Sequence, residues 1–376
     1  MNNSINNLIK LNDFKREPSS LIEDQVKAVE KVLNSGWWIL GKEVEDFEKS
    51  WSSICNTTHS IGVANGLDAI EIGLRSLDIG IGDEVITTPV TAFATTLAIQ
   101  KTGAIPVFAD IDPKTGCLDP NSVAECISRK TKAILVVHLY GRSADLNHLL
   151  DISKKENIYL VEDCAQAHLG KYESKALGSF GIFGAWSFYP TKNLGAIGDA
   201  GAVTTNDNLI MEKSKSLRNY GQTNRYTHPI LGLNSRLDEL QAALLNIRIK
   251  HLQEWTTRRR EIAKRYWEEI NNKNISLLSK PSNMLNHVNH LFIIICAEGT
   301  RNKIQFHLEE NGIQTLIHYP ILNNNQKAIL EHRVSPKGVF NAENHCNRCL
   351  SLPIHPFLTE EEVNRVINAC NSFSIN

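Results

Sequence analysis

Apolar and polar positions alternate along the chain in two distinct periods. Residues 22–35 carry Ile22, Val26, Val29 and Val32 at helical spacing, and Ser35-Gly36 supplies a stop signal. From there to about residue 250, short apolar runs alternate with helical patterns. HSIGVAN, DEVITTP, IPVFADI, KAILVVHL and IYLVEDC read as strands. Residues 66–76, 91–103, 121–128 and 146–157 read as the helices between them. Nearly continuous apolar strands separated by helices predict a mostly parallel sheet covered on both faces, an α/β architecture. Beyond about residue 235 the pattern changes. Residues 237–270 form a long amphipathic helical stretch, LFIIICA a strand, residues 300–313 a helix and 359–372 a last helix, with Thr359 and Glu362 spaced as a capping box. The expected organisation is a large α/β domain over residues 1–250 and a small α+β domain over 251–376.

Length and composition agree with this division. A chain of 376 residues exceeds one ordinary small domain. Apolar content of 42% and charged content of 22% are those of a globular protein with a sizeable core. The formal net charge of -1 offers no bulk attraction to nucleic acid or to a bilayer. The polar first residues contain no apolar signal core, and LFIIIC is far shorter than a membrane span. A cytoplasmic protein with eight reduced cysteines is the expectation. His345, Cys346 and Cys349 form a single HCxxC cluster without a second CxxC nearby, so no metal is expected there. No G-x-G-x-x-G follows the first strand, which argues against a nicotinamide enzyme.

Ligands of open parallel sheets sit beyond the carboxyl ends of the strands. Three features fall there. HSIGVAN runs through Asn65-Gly66 straight into a helix, leaving free N–H groups and a positive dipole end suited to phosphate. IYLVED ends in Glu162-Asp163, a carboxylate able to pair with a cationic ring nitrogen. SFYPTKNLGAIGDAGA sets Lys192 between a proline turn and a glycine-rich stretch, where an amine could form an imine with an aldehyde cofactor. Each alone is commonplace: a strand–helix junction, a turn-capping Asp, a solvated lysine. Together they supply a phosphate cup, a ring partner and an amine.

At these residues the chain resembles the DegT/DnrJ/StrS sugar aminotransferases, a branch of the fold type I pyridoxal phosphate enzymes. The matching blocks run in order from GKEVEDFEK (41–49) and GVANGLDAI (62–70) through GDEVITTP (82–89), VEDCAQAHLG (161–170) and SFYPTKNLGAIGDAGA (187–202). RNYG (218–221), NSRLDELQAA (234–243), IHYP (317–320) and LSLPIHPFLTEEE (350–362) complete the series. The resemblance implies the three-layer, aspartate aminotransferase-like fold and pyridoxal 5′-phosphate as cofactor, cycling through its amine form. It makes Lys192 the Schiff-base lysine, Asp163 the partner of the pyridine nitrogen and Gln166 the neighbour of the ring hydroxyl. Gly66 and Leu67 would offer backbone amides to the phosphate and Ser187 its hydroxyl. Asn234 would reach the phosphate of a neighbouring subunit, which implies a homodimer with shared sites. His318, Tyr319, Arg236 and Tyr220 become contacts to the sugar or its nucleotide.

Two departures stand out. Family members often carry a ring-stacking aromatic where this chain has Ala92, with Phe93 beside it as the substitute, and Leu67 replaces the usual Thr or Ala. The GLDA wording is closer to the branch acting on 3-keto than on 4-keto 6-deoxyhexoses carried on deoxythymidine diphosphate. The implied reaction is amino transfer from glutamate to such a sugar by ping-pong kinetics, in polysaccharide or O-antigen biosynthesis. A related dehydratase branch has histidine in place of the lysine. A non-catalytic, cofactor-holding regulator is the reading from a different class; the intact set Lys192, Asp163, Gln166 and Ser187 separates this chain from it.

Overall fold

The computed structural model describes residues 8–375. Helices α1 (Ser19–Ser35) and α2 (Lys42–Cys55) lead into strand β1 (His59–Val63) and α3 (Gly66–Ser76). Then follow β2 (Glu84–Thr87), α4 (Phe93–Lys101), β3 (Ile105–Phe108), α5 (Pro120–Cys126), β4 (Thr131–Val137), α6 (Leu146–Glu156) and β5 (Tyr159–Asp163). A two-stranded hairpin, β6 (Lys171–Tyr172) and β7 (Lys175–Ala176), precedes β8 (Gly184–Ser187), β9 (Gly201–Thr205) and α7 (Asn208–Leu217). The stretch read as one long helix is two, α8 (Glu239–Arg248) and α9 (Leu252–Glu269), joined by a 3-10 turn at Ile249–His251. The rest comprises β10 (Ile275–Leu277), β11 (Phe292–Cys296), α10 (Arg301–Glu310), β12 (Arg333–Val334), α11 (Phe340–Arg348), β13 (Cys349–Leu352) and α12 (Glu360–Ser372). Thr359 caps α12 with the reciprocal Glu362 contact that its spacing predicts.

Eight strands make the main sheet, in the order β1-β9-β8-β5-β4-β2-β3-β12. Only β9 runs against its neighbours in that sheet. The register aligns the strand ends: Val63 and Ser187 both pair with Gly201, and Asp163 pairs with Val137 on one side and Ala185 on the other. Helices cover both faces, with one core around Phe47, Trp51, Trp186 and Phe188 and another around Ile70, Ile72, Val85 and Phe183. A three-stranded sheet, β10-β11-β13, packs with α9, α10 and α12 around Tyr266, Ile294 and Val366. A further cluster joins Val90, Leu139 and Tyr140 to Leu291, Ile293 and Cys349, so the later elements share a core with the strand ends of the main sheet.

The helical spacing over residues 22–35 is that of α1, and the apolar positions on it divide between buried and exposed. Leu21, Gln25 and Val32 are buried, whereas Ile22 and Val26 are 48% and 61% exposed. No helix among the described residues is long and apolar enough to cross a membrane.

Candidate active site

Because β1, β5 and β8 run the same way, their carboxyl ends share one edge of the sheet, and the site residues are the ones that the chain carries just past that edge. At the end of β1, Asn65 caps α3 by accepting the Asp68 N–H at 2.8 Å. The Ala69 N–H goes to the Asn65 carbonyl. No acceptor within the chain takes the N–H of Gly66 or Leu67 among the described residues, so two donors stand free at a helix N-terminus. Ser187, at the end of β8, lies directly against them: a Cβ on Gly66 would stand 2.5 Å from the Ser187 Cβ and 3.2 Å from its Oγ. Glycine is needed here for close approach, not for an unusual dihedral.

Asp163 and Glu162 point to opposite sides of β5, as successive strand residues must. Glu162 is fully buried and saturated: His138 Nε2 lies 3.0 Å from it, and the N–H groups of Gly178, Phe180 and Gly181 each donate to it at 2.8 Å. Burial alone would raise its carboxyl, but His138 and those amides prevail and hold it below the ordinary value. Asp163, on the site side, accepts from Thr95 Oγ1 at 2.8 Å and from the Ala165 N–H at 3.1 Å.

Lys192 is half-buried on the turn between β8 and β9. The turn is closed by Lys192 N–H to Tyr189 O and Ala196 N–H to Phe188 O, and is clamped by Asn193, whose side chain reaches Val288 O and His290 Nδ1 at 3.1 Å each. Desolvation pushes the Lys192 ammonium down to about 8, with Asp163 drawing it part of the way back.

Gln166 is fixed at both ends. Its Oε1 accepts the Tyr140 N–H at 2.6 Å, which leaves Nε2 to donate to Tyr319 Oη at 3.1 Å. The amide therefore presents a donor on the site side. Burial raises the Tyr319 hydroxyl to about 12. His318 holds Ser351 Oγ through Nδ1 at 2.7 Å and is driven down to about 4, first by burial and then by the Lys192 charge, so it is a neutral imidazole near neutral pH. The HCxxC residues stand behind this pair. Cys346 and Cys349 direct Sγ to the carbonyls of Tyr319 and His318, and His345 Nε2 meets Tyr140 Oη at 2.8 Å.

The structure thus brings together Gly66, Leu67, Ser187, Asp163, Gln166, Lys192, His318 and Tyr319. Phe93 opens α4 directly after Ala92, half-buried. Asn234, Arg236 and Tyr220 stand apart on a hairpin closed by the Asn219–Asn234 bridge. There Arg236 bonds Asn219 at 3.0 Å and stacks over the Tyr220 ring at 5.2 Å. None of the three touches the Lys192 cluster through a hydrogen bond or ring contact among the described residues. Sequence reasoning missed Thr95 and Tyr140. The Thr91/Thr95 spacing at a helix start was a usable signal; nothing local marks Tyr140. A cavity of about 680 Å³ opens between Asp112, Arg142 and Asp145, but none of the site residues lines it.

These groups fit pyridoxal phosphate: a helix-end amide cradle with a serine for phosphate, a carboxylate tethered at both oxygens for the ring nitrogen, an amide donor for the ring hydroxyl, and an amine of lowered pKa for the aldehyde. Comparison with known proteins agrees. The DegT/DnrJ/EryC1/StrS aminotransferase family profile matches residues 19–371. A dTDP-3-amino-3,6-dideoxy-alpha-D-galactopyranose transaminase from Aneurinibacillus thermoaerophilus is 47% identical over 92% of this chain and 94% of its own. The crystal structure of Streptomyces venezuelae DesV in complex with a ketimine intermediate superposes with a TM-score of 0.91 at 38% identity, covering 96% of this chain and 97% of that one. The Bacillus subtilis NtdA structure with bound cofactor PMP gives 0.86 at 32% identity, over 94% and 82%.

Proposed function

The chain belongs to the DegT/DnrJ/EryC1/StrS aminotransferase family, and on that premise we propose that it transfers an amino group from glutamate to a dTDP-linked 3-keto-6-deoxyhexose, giving a dTDP-amino sugar and 2-oxoglutarate. The observation that carries the reading is the meeting of Lys192, Asp163 and the Gly66–Ser187 cradle on one sheet edge. The transaminases of dTDP-3-amino sugars among the relatives support carbon 3 and the deoxythymidine carrier.

When bound, pyridoxal phosphate supplies an aldehyde carbon for amines and a conjugated ring that takes up electron density. The amides of Gly66 and Leu67 and the Ser187 hydroxyl would bind its phosphate, and Gln166 Nε2 would donate to its ring oxygen. Asp163 would keep the ring nitrogen protonated, since an adjacent carboxylate favours the cation. Lys192, with its pKa near 8, is poised to take a proton from the substrate carbon and return it, as general base and then acid. Neutral His318 and Tyr319 would contact the sugar.

The active unit in this reading is a cytoplasmic homodimer. Ile22, Val26, Leu33, Trp37 and Trp38 are between 48% and 64% exposed on and just after α1, a large apolar surface for a lone chain. The hairpin carrying Tyr220, Asn234 and Arg236 would then complete the partner's site, with Asn234 toward the phosphate. The product would feed surface polysaccharide, such as O-antigen.

The test is to add glutamate to the yellow holoenzyme and follow the cofactor spectrum, then offer 3-keto and 4-keto 6-deoxyhexoses on deoxythymidine diphosphate. Bleaching by glutamate and recovery with the 3-keto sugar are expected. Recovery with the 4-keto sugar alone would move amination to carbon 4. Failure of glutamate to bleach the protein would overturn transamination in favour of a cofactor-holding regulator.

A further inference from the structure

We propose that Thr95 and Thr91 are positioning residues for this chemistry: a two-hydroxyl relay, Thr91 to Thr95 to Asp163, that fixes the Asp163 carboxylate and keeps it turned toward the ring nitrogen. The inference rests on the reading that Asp163 faces that nitrogen.

The direction of the relay follows from donor and acceptor capacity. An ionised carboxylate only accepts. Thr95 Oγ1 lies 2.8 Å from Asp163 Oδ2, so its single proton is spent there. Thr91 Oγ1 lies 2.9 Å from Thr95 Oγ1, and with the Thr95 proton committed, Thr91 must be the donor in that pair. The second carboxylate oxygen takes the Ala165 N–H at 3.1 Å. Each oxygen of Asp163 is thus tethered by one donor from a different element, which fixes the plane of the carboxylate and leaves lone pairs for a cation. Thr91, Thr95 and Asp163 are 3%, 1% and 5% exposed, so water does not substitute for either hydroxyl. In such surroundings a hydrogen bond to a charge is among the stronger kinds, and its loss favours the protonated acid. The sequence builds this simply. Ala92 caps α4, Thr91 precedes it, and Thr95 lies in the first turn, so one helix end delivers both hydroxyls to the end of β5.

Thr95→Val keeps the shape and removes the proton. The expected result is a kcat for the glutamate half-reaction lowered about ten- to hundredfold, the loss of one hydrogen bond to a charge, with KM for the keto sugar unchanged. In holoenzyme rebuilt with cofactor ¹⁵N-labelled at the ring, the nitrogen resonance should move toward its unprotonated position. Thr95→Ser should restore both readouts, and Thr91→Val should shift both in the same direction by less. A Thr95→Val enzyme with parental kcat and resonance overturns the relay. So does equal impairment of the Val and Ser variants, which would mark packing. Asp163→Asn is the control: if it leaves the ring resonance unmoved, the assignment of Asp163 falls and takes the relay with it. If it shifts the resonance and Thr95→Val does not, only the relay falls.

Discussion

At the residue scale, the amine of Lys192 and the glycine at 66 make the most specific demands. A lysine in water titrates near 10.4, and burial brings Lys192 down to about 8. In cofactor-free protein, the rate at which pyridoxal phosphate recombines should therefore rise with pH and level off above a midpoint near 8. A midpoint near 10 would show that the amine is solvated and not tuned by its site. Lys192→Ala should abolish turnover while leaving the fold intact, which circular dichroism can check alongside the assay. Gly66 has no room for a methyl group, since Ser187 Cβ would stand 2.5 Å away. Gly66→Ala should force β8 away from the first turn of α3 and weaken cofactor binding by roughly tenfold or more, the equivalent of one charged hydrogen bond. Equilibrium dialysis measures it, and unchanged affinity would mean that the phosphate lies elsewhere.

At the element scale, what the sequence discloses depends on whether its signal is local. The buried strands β2, β4 and β5 are legible as apolar runs because both faces are covered. The strands β8 and β9 are not, since GAWS and GAVTT are short and glycine-rich and become strands only by pairing with each other and with β1 and β5. The same limit explains α1. Periodicity shows that the helix has an apolar face, not that Ile22 and Val26 on it stay uncovered in one chain. In the site, Lys192 and Asp163 are readable from motif and strand end, whereas Tyr140 is found only because the fold sets its N–H on Gln166 and its hydroxyl on His345 and the His318 carbonyl. Glu162 shows how one element serves both ends. It ties the turn at 178–181 to β5 and so fixes the strand that presents Asp163. Removing the charge, as in Glu162→Gln, leaves three amides and His138 short of a full acceptor. A loss of about 1–3 kcal/mol is expected, the cost of leaving a buried donor unsatisfied, read as a lower urea midpoint. A change below about 1 kcal/mol would mean that the amide carbonyl serves as well.

At the scale of the whole molecule, the buried histidines decide how the protein responds to acid. His168 sits among Trp51, Trp186 and Phe188 in the main core and is lowered to about 3; His287 and His290 lie well below their ordinary value. His318, His345 and His355 are each lowered to about 4. In every case burial is the leading cause, joined in all but His345 by positive charges such as Lys192, Arg142 or Arg259. The sign follows from linkage. A histidine whose pKa is lower folded than unfolded binds its proton first in the unfolded chain, so stability is intact above the unfolded value near 6.5 and falls as pH drops below it. The carboxylates act later, because groups such as Glu162 and Glu362, depressed in the folded state, give up their contribution only as pH falls below the ordinary range near 4.5. The urea midpoint should therefore be level from pH 8 to 7 and decline between pH 6.5 and 5, ahead of the loss contributed by Glu162 and Glu362. These histidines lie in both the main core and the region packed around His318, so the transition should remain single, with tryptophan fluorescence and circular dichroism coincident. A midpoint flat down to pH 5 would show that the histidines gain protons in the folded protein as readily as in water, and would remove burial as the reason that His318 is neutral beside Lys192.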